Sequence, residues 1–113
     1  MIVRFWAVSR HQSSLRETLN KVIERKQGAD PGEFPITLGR EKKVGRRPGW
    51  AKAYSRNGFY GVVNYEWNPR ARILECQAQS RGRSRCDGLV GEFVSVLLSL
   101  PGHPVKSIHI EAE

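Results

Sequence analysis

Val3, Phe5 and Ala7 alternate with Arg4 and Trp6, a period of two that predicts a half-buried strand over residues 2–9. The period then lengthens. Leu15, Leu19, Val22 and Ile23 recur at helical spacing, with Glu17 and Lys21 as an i,i+4 pair on the wet side. Ser14 and Glu17 have capping-box spacing, so the Ser14 hydroxyl is placed to accept from the Glu17 backbone N–H. An amphipathic helix over residues 14–27 follows, with Gly28 as its stop.

The next twenty residues lose the pattern. Phe34 to Leu38 reads as a short edge strand, because Pro35 cannot donate to a central ladder. Gly39, Gly45, Pro48 and Gly49 mark the remainder as a long loop, and residues 29–49 together form a basic connection.

From Trp50 the period returns to two. Asn57-Gly58 between alternating runs predicts a type I′ hairpin, since both residues tolerate positive φ. That turn pairs Arg56 with Phe59, Tyr54 with Gly61, Lys52 with Val63 and Trp50 with Tyr65. One face then holds Trp50, Lys52, Tyr54, Arg56, Phe59, Val63, Tyr65 and Trp67, including five of the ten aromatic residues. A turn at Asn68–Ala71 opposes Trp67 to Arg72 and continues this face as Leu74, Cys76 and Ala78 on a strand over residues 72–80. Turn chemistry therefore places Phe59, Val63 and Tyr65 in the core. Trp50, Lys52, Tyr54 and Arg56 project beyond it.

A second helix is expected over residues 87–100, with Asp87 as N-cap and Pro101-Gly102 as its end. Only Glu92, Ser95 and Ser99 form a polar stripe on it, so it calls for cover on more than one side. Gly88, Gly91 and Ser95 would permit close approach of another chain. Val105 to Glu113 reads as a last strand, with Ile108 and Ile110 alternating against Ser107, His109 and Glu111.

The pattern predicts one α+β domain over residues 1–113. Two helices pack on one face of a mainly antiparallel four- to five-stranded sheet, in a ferredoxin-like or related two-layer sandwich. A chain of 113 residues suits one modest core. Its 39% hydrophobic and 27% charged residues are globular proportions. No apolar run nears the roughly 20 residues of a membrane span, and the N-terminus lacks signal-peptide features, so the expected location is cytoplasmic. Cys76 and Cys86 are too few for a disulfide scaffold and lack zinc-site spacing; two reduced thiols are expected.

Charge changes the picture most. Residues 1–57 hold thirteen Lys and Arg against five acids, whereas residues 58–113 hold six of each. The whole excess of +8 lies in the first half. Arg40, Lys42, Lys43, Arg46 and Arg47 form its densest part, and Lys52 and Arg56 carry it into the hairpin. A second group, Arg81, Arg83 and Arg85, precedes the second helix, where free backbone N–H groups favour anions. Such clusters neutralise phosphates and release counterions, and Trp50 and Tyr54 beside them suit base stacking.

The functional expectation is a small basic nucleic-acid-binding protein, DNA or RNA, making phosphate-backbone contacts with little sequence readout. A non-catalytic, homo-oligomerising interaction module is the alternative, with a homodimer joined through the second helix or the last strand. The third reading is a small metal-independent ribonuclease using His11 beside Arg10. No metal or cofactor is expected, because Asp30 and Asp87 are the only aspartates and His11, His103 and His109 are scattered. Cys86 follows two arginines at a helix N-terminus, where a thiolate would be stabilised, but phosphatase-like cysteine-to-arginine spacing is absent, since position 92 is Glu.

Overall fold

A computed structural model describes residues 2–39, 50–82 and 85–112. The strands are β1 (Ile2–Ser9), β2 (Ile36–Leu38), β3 (Ala51–Ser55), β4 (Gly61–Asn68), β5 (Ile73–Ser80) and β6 (Val105–Ala112). Helix α1 (Leu15–Arg25) follows β1, and α2 (Cys86–Leu98) lies between β5 and β6. All six strands form one antiparallel sheet in the order β2-β3-β4-β5-β1-β6. This exceeds the expected four to five because the segment after Pro35 does pair, as an edge strand against β3.

Both helices cover the same sheet face. The Tyr65 ring of β4 meets Phe93 of α2 at 5.3 Å between centroids, and its hydroxyl pairs with the Asn20 side chain of α1. Phe5 of β1 meets the same Phe93 edge-on at 5.6 Å. Leu19, Ile23, Phe93 and Leu97 share one buried cluster with Val3, Phe5, Ala7, Leu74, Cys76 and Ala78. Area removed from water makes each large member worth about 1.5–3 kcal/mol. No described helix is long and apolar enough to cross a membrane.

The helix ends differ by a residue or two from the pattern. Ser14 caps α1 as expected, accepting from Glu17 N at 3.2 Å, but the helix ends at Lys26 before reaching Gly28. The N-cap of α2 is Arg85, two residues before the expected Asp87, and the helix ends at Leu98, two residues before the expected 100. Asp87 then lies in the first turn, where its carboxylate grips Arg85 at 2.7 and 3.1 Å. That guanidinium holds the Asp87 carboxyl below its usual range.

The hairpin register is the main correction. Ala51 opposes Tyr65, Lys52 opposes Asn64 and Ala53 opposes Val63, one residue from the pairing a two-residue Asn-Gly turn would give. Gly58 has φ +86, but Asn57 is absent from the positive-φ residues, so the type I′ turn does not form. The Asn57 amide donates instead to Pro31 O at 3.0 Å and to Glu92 Oε2 at 2.8 Å. A one-residue shift reverses the facing of a whole strand. Ala51 and Ala53 therefore join Val63 and Tyr65 on the helix side, and Lys52 and Tyr54 move to the opposite side.

The next turn keeps the expected facing with a different register. Trp67 opposes Leu74, and Asn68 opposes Ile73. The Asn68 side chain accepts from Arg70 N and Ala71 N, and Arg72 closes the loop with φ +55.

Candidate nucleic-acid interface

Among the described residues, no helix covers the side of the sheet away from α1 and α2. Cross-strand register lays out its rows. One runs Lys52, Asn64, Gln77, Arg4 and Glu111 across β3, β4, β5, β1 and β6; the next runs Glu66, Glu75, Trp6 and His109. This face carries both signs of charge. Glu66 and Glu75 oppose each other at its centre, an arrangement that repels phosphate and separates Lys52, toward the β2–β3 edge, from Arg4 on β1, which stands opposite Glu111.

Lys52 and Tyr54 lie at that edge. Gly39, whose N–H donates to Lys52 O at 2.7 Å, sits against both side chains: a Cβ there would fall 2.4 Å from the Tyr54 ring. Tyr54 also lines a shallow depression of about 250 Å³ with Ser55, Gly58, Phe59, Tyr60, Gly61 and Arg81. Two of the expected clusters thus meet here, Tyr54 from the hairpin and Arg81 from the group before α2. Arg81 N donates to Tyr60 O at 3.0 Å, which ties the end of β5 to the β3–β4 connection. Tyr60 is 73% exposed, and no carboxylate lines the depression. Gly61, at φ +147, has Gln79 O 2.3 Å from where a Cβ would stand, so only glycine brings the β4 start this close to β5.

The remaining expected site residues fall out differently. Trp50 is half-buried and immediately precedes β3. Arg56 is engaged structurally: its guanidinium donates to Ala29 O at 2.7 Å and Phe34 O at 3.0 Å, pinning the turn after α1 to the end of β3. Arg85 is paired with Asp87 on the surface. Arg40, Lys42, Lys43, Arg46, Arg47 and Arg83 lie outside the described residues. In the chain, the segment with the first five connects β2 to β3.

Phe59, Val63, Tyr65 and Trp67 are not part of an open aromatic platform. Tyr65 and Val63 are buried, and Trp67 and Phe59 pack partly against the core, Phe59 over Gly88 of α2. Burial pushes the Tyr65 hydroxyl well above the ordinary tyrosine range, with Arg16 opposing the shift and Cys76 and Glu24 adding to it.

Both cysteines are free and buried. The Cys86 thiol points at Ala78 O, 3.5 Å away, and has no access to a substrate. Burial, with Glu75 nearby, raises the Cys76 thiol. Among the described residues no group of His, Cys, Asp and Glu has the arrangement to hold a metal ion.

Arg10, Arg70 and Arg72 were not visible as a group in the sequence, since sixty residues separate the first from the second. Antiparallel topology brings them to one end of the sheet. Spacing along the chain gives no signal for that; strand order does. Compared with protein-family models, curated proteins and solved structures, the chain matches none of them.

Proposed function

We propose that this protein binds nucleic acid through its phosphate backbone, with little sequence readout. The observation that supports it most is the placement of Lys52 and Tyr54 on the helix-free side of the sheet, beside the hairpin connection that carries Arg40, Lys42, Lys43, Arg46 and Arg47. That connection, residues 40–49, has five cations and one acid, which is half of the formal charge of +8. Phosphate contacts need cations rather than a preformed pocket, and Tyr54 with Tyr60 adds π-faces on which unpaired bases can stack. The acidic centre of the face directs the strand along the β2–β3 edge. For the fold, the order β6-β1-β5-β4 with α1 and α2 supports a ferredoxin-like sandwich carrying β2–β3 as an added edge hairpin.

The test is a charge reversal at two lysines, one on the β2–β3 edge and one on the wet face of α1. Lys52→Glu is expected to weaken binding to labelled single-stranded DNA and RNA at least tenfold at low salt, whereas Lys21→Glu on α1 leaves it within about twofold. Equal loss from both would mean bulk charge attraction without this site. Labelled RNA left intact in EDTA separates binding from the metal-independent ribonuclease reading.

A second reading, a self-associating interaction module, is favoured by one observation. No described strand pairs with the outer edge of β6, and Ile110 on it is 58% exposed. A long apolar edge is a template for strand addition. On α2, Val90 is buried, Val94 half-buried and Leu98 57% exposed. Sedimentation at micromolar concentration distinguishes the surfaces: Ile110→Lys abolishes a β6-joined dimer, and Leu98→Lys abolishes one joined through α2.

A further inference from the structure

We infer that the end of the sheet formed by the β1–α1, β4–β5 and α2–β6 connections is a phosphate-binding pole, built by Arg10, Arg70 and Arg72 with His11 and His103. The inference rests on the nucleic-acid reading and locates its phosphate contacts on residues outside the basic hairpin segment.

Topology makes the pole. Strand β1 ends, β5 begins and β6 begins at the same end of the sheet, because β1 is antiparallel to both neighbours. Ser9 N donates to Arg72 O at 2.8 Å, and Arg10 N donates to Pro104 O at 2.8 Å. The first bond holds Ser9, the residue before Arg10, within about one strand spacing, roughly 4.8 Å, of the backbone of Arg72, and the second holds Arg10 itself as close to Pro104, next to His103. Arg70 lies two residues before Arg72 in the same turn. Arg10, His11, Arg70, Arg72 and His103 are all exposed.

The connections at this end are one-sided in charge, and the nearest carboxylates along the chain are Glu75 on β5, Glu66 on β4 and Glu17 in the first turn of α1. Residues 10–14, 69–72 and 99–104 contain three arginines, two histidines and no carboxylate. Neither Arg10, Arg70 nor Arg72 is engaged in an ion pair by a described residue; the described pair is Arg85 with Asp87. The opposite end of the sheet differs: its turn after α1 carries Asp30 and Glu33, and its cations Arg56 and Arg85 are already bonded, which leaves Arg81 at the depression. The end of β2 and the start of β3 also lie at the arginine-bearing end.

Backbone geometry supports a fixed rather than random grouping. Among the described residues, Arg72 at φ +55 and His103 at φ +48 are the non-glycine residues with positive φ. Both flank the exit of β1. A left-handed conformation costs a non-glycine residue of order 1 kcal/mol, and such residues concentrate where side-chain direction matters. The ligand that fits three guanidinium groups not ion-paired to any described residue, with imidazole N–H donors beside them, is a run of phosphates: each guanidinium can take two oxygens of one phosphate, and successive phosphates engage successive arginines.

The test compares two triple variants with equal charge loss. Arg10→Ser, Arg70→Ser and Arg72→Asn removes the pole; asparagine tolerates the positive φ at that position. Lys21→Ser, Arg25→Ser and Lys26→Ser removes three exposed cations of α1 and its C-cap. Binding of a labelled single-stranded 20-mer is titrated between 50 and 200 mM salt. The pole variant is expected to lower the slope of log K on log salt by about 2 units, at 0.7–0.9 per lost contact, and the α1 variant to leave it unchanged within about 0.5. Thermal unfolding of both variants checks that they fold; an Arg→Lys triple at the pole, which keeps the charge, is expected to retain the slope. Equal slopes for the two triple variants would overturn the pole while leaving nucleic-acid binding in place. Absence of binding by the wild-type chain would overturn both. Equally tight, pole-dependent binding of polyglutamate would show that the pole reads acidic peptide and not phosphate.

Discussion

Arg56 shows how a cation next to a basic segment can serve the fold. Its guanidinium reaches two backbone carbonyls, Ala29 O and Phe34 O, so it fastens a turn that has little apolar anchorage besides Phe34. Arg56→Ala is expected to cost about 2 kcal/mol, the usual loss for charge-assisted bonds to carbonyls, measured by urea denaturation. Lysine at that position cannot reproduce the fork and should recover less than half. Replacing Arg40, Lys42, Lys43, Arg46 and Arg47 together by Ser should change stability by less than about 0.5 kcal/mol, because screened surface charge contributes little to folding. Tyr65 makes a pH prediction. Its folded pKa is raised, by burial first, so its contribution is complete below about pH 10, where the unfolded hydroxyl titrates, and is lost as pH rises toward the folded value. The buried Cys76 thiol adds a loss of the same sign beginning near pH 8.5. Urea midpoints should therefore fall steeply between about pH 9 and 11, and Tyr65→Phe should flatten the upper part of that fall at a cost of about 1 kcal/mol at neutral pH for its bond to Asn20. An unchanged alkaline profile in the Phe variant would contradict a buried, neutral Tyr65.

At the level of elements, α2 offers a matched pair of glycines. Gly91 has open space where a Cβ would stand, so Gly91→Ala should stabilise by about 0.5–1 kcal/mol through helix propensity alone. Gly88→Ala gains the same propensity but places a Cβ 2.4 Å from the Phe59 ring, so it should fall short of Gly91→Ala by more than about 1 kcal/mol in the same denaturation assay. Equal values would mean that Phe59 does not pack there. Strands and helices were legible from period alone, since Val3-Phe5-Ala7 and Leu15-Leu19-Ile23 announce their faces without help from distant contacts. The Ser14 cap is equally local. The β3–β4 register was not legible, because Asn57 spends its side chain on Pro31 and Glu92, two partners that sequence spacing does not bring near. With the turn went the facing of Lys52 and Tyr54. The second turn kept its facing because Asn68 caps its own loop and the extra residues came as two, which preserves parity.

At the scale of the molecule, charge and topology combine. The sequence shows an excess of +8 in its first half; strand order redistributes it, placing Arg70 and Arg72 from the neutral half beside Arg10 from the basic one. The depression with Tyr54, Tyr60 and Arg81 opens at the other end of the short strand β3, whose five residues span roughly 17 Å at about 3.4 Å each. A strand of nucleic acid following the β2–β3 edge would place phosphates toward the arginine end and bases toward the tyrosines. The measurement that tests the central claim most directly is a titration of the wild-type chain against labelled single- and double-stranded DNA and RNA at about 50 mM salt, repeated at rising salt. The account predicts binding across unrelated sequences that weakens steeply with salt, with log K falling linearly on log salt at a slope of at least about 3 units. No measurable affinity for any of these nucleic acids at about 50 mM salt, where phosphate contacts are strongest, would contradict it.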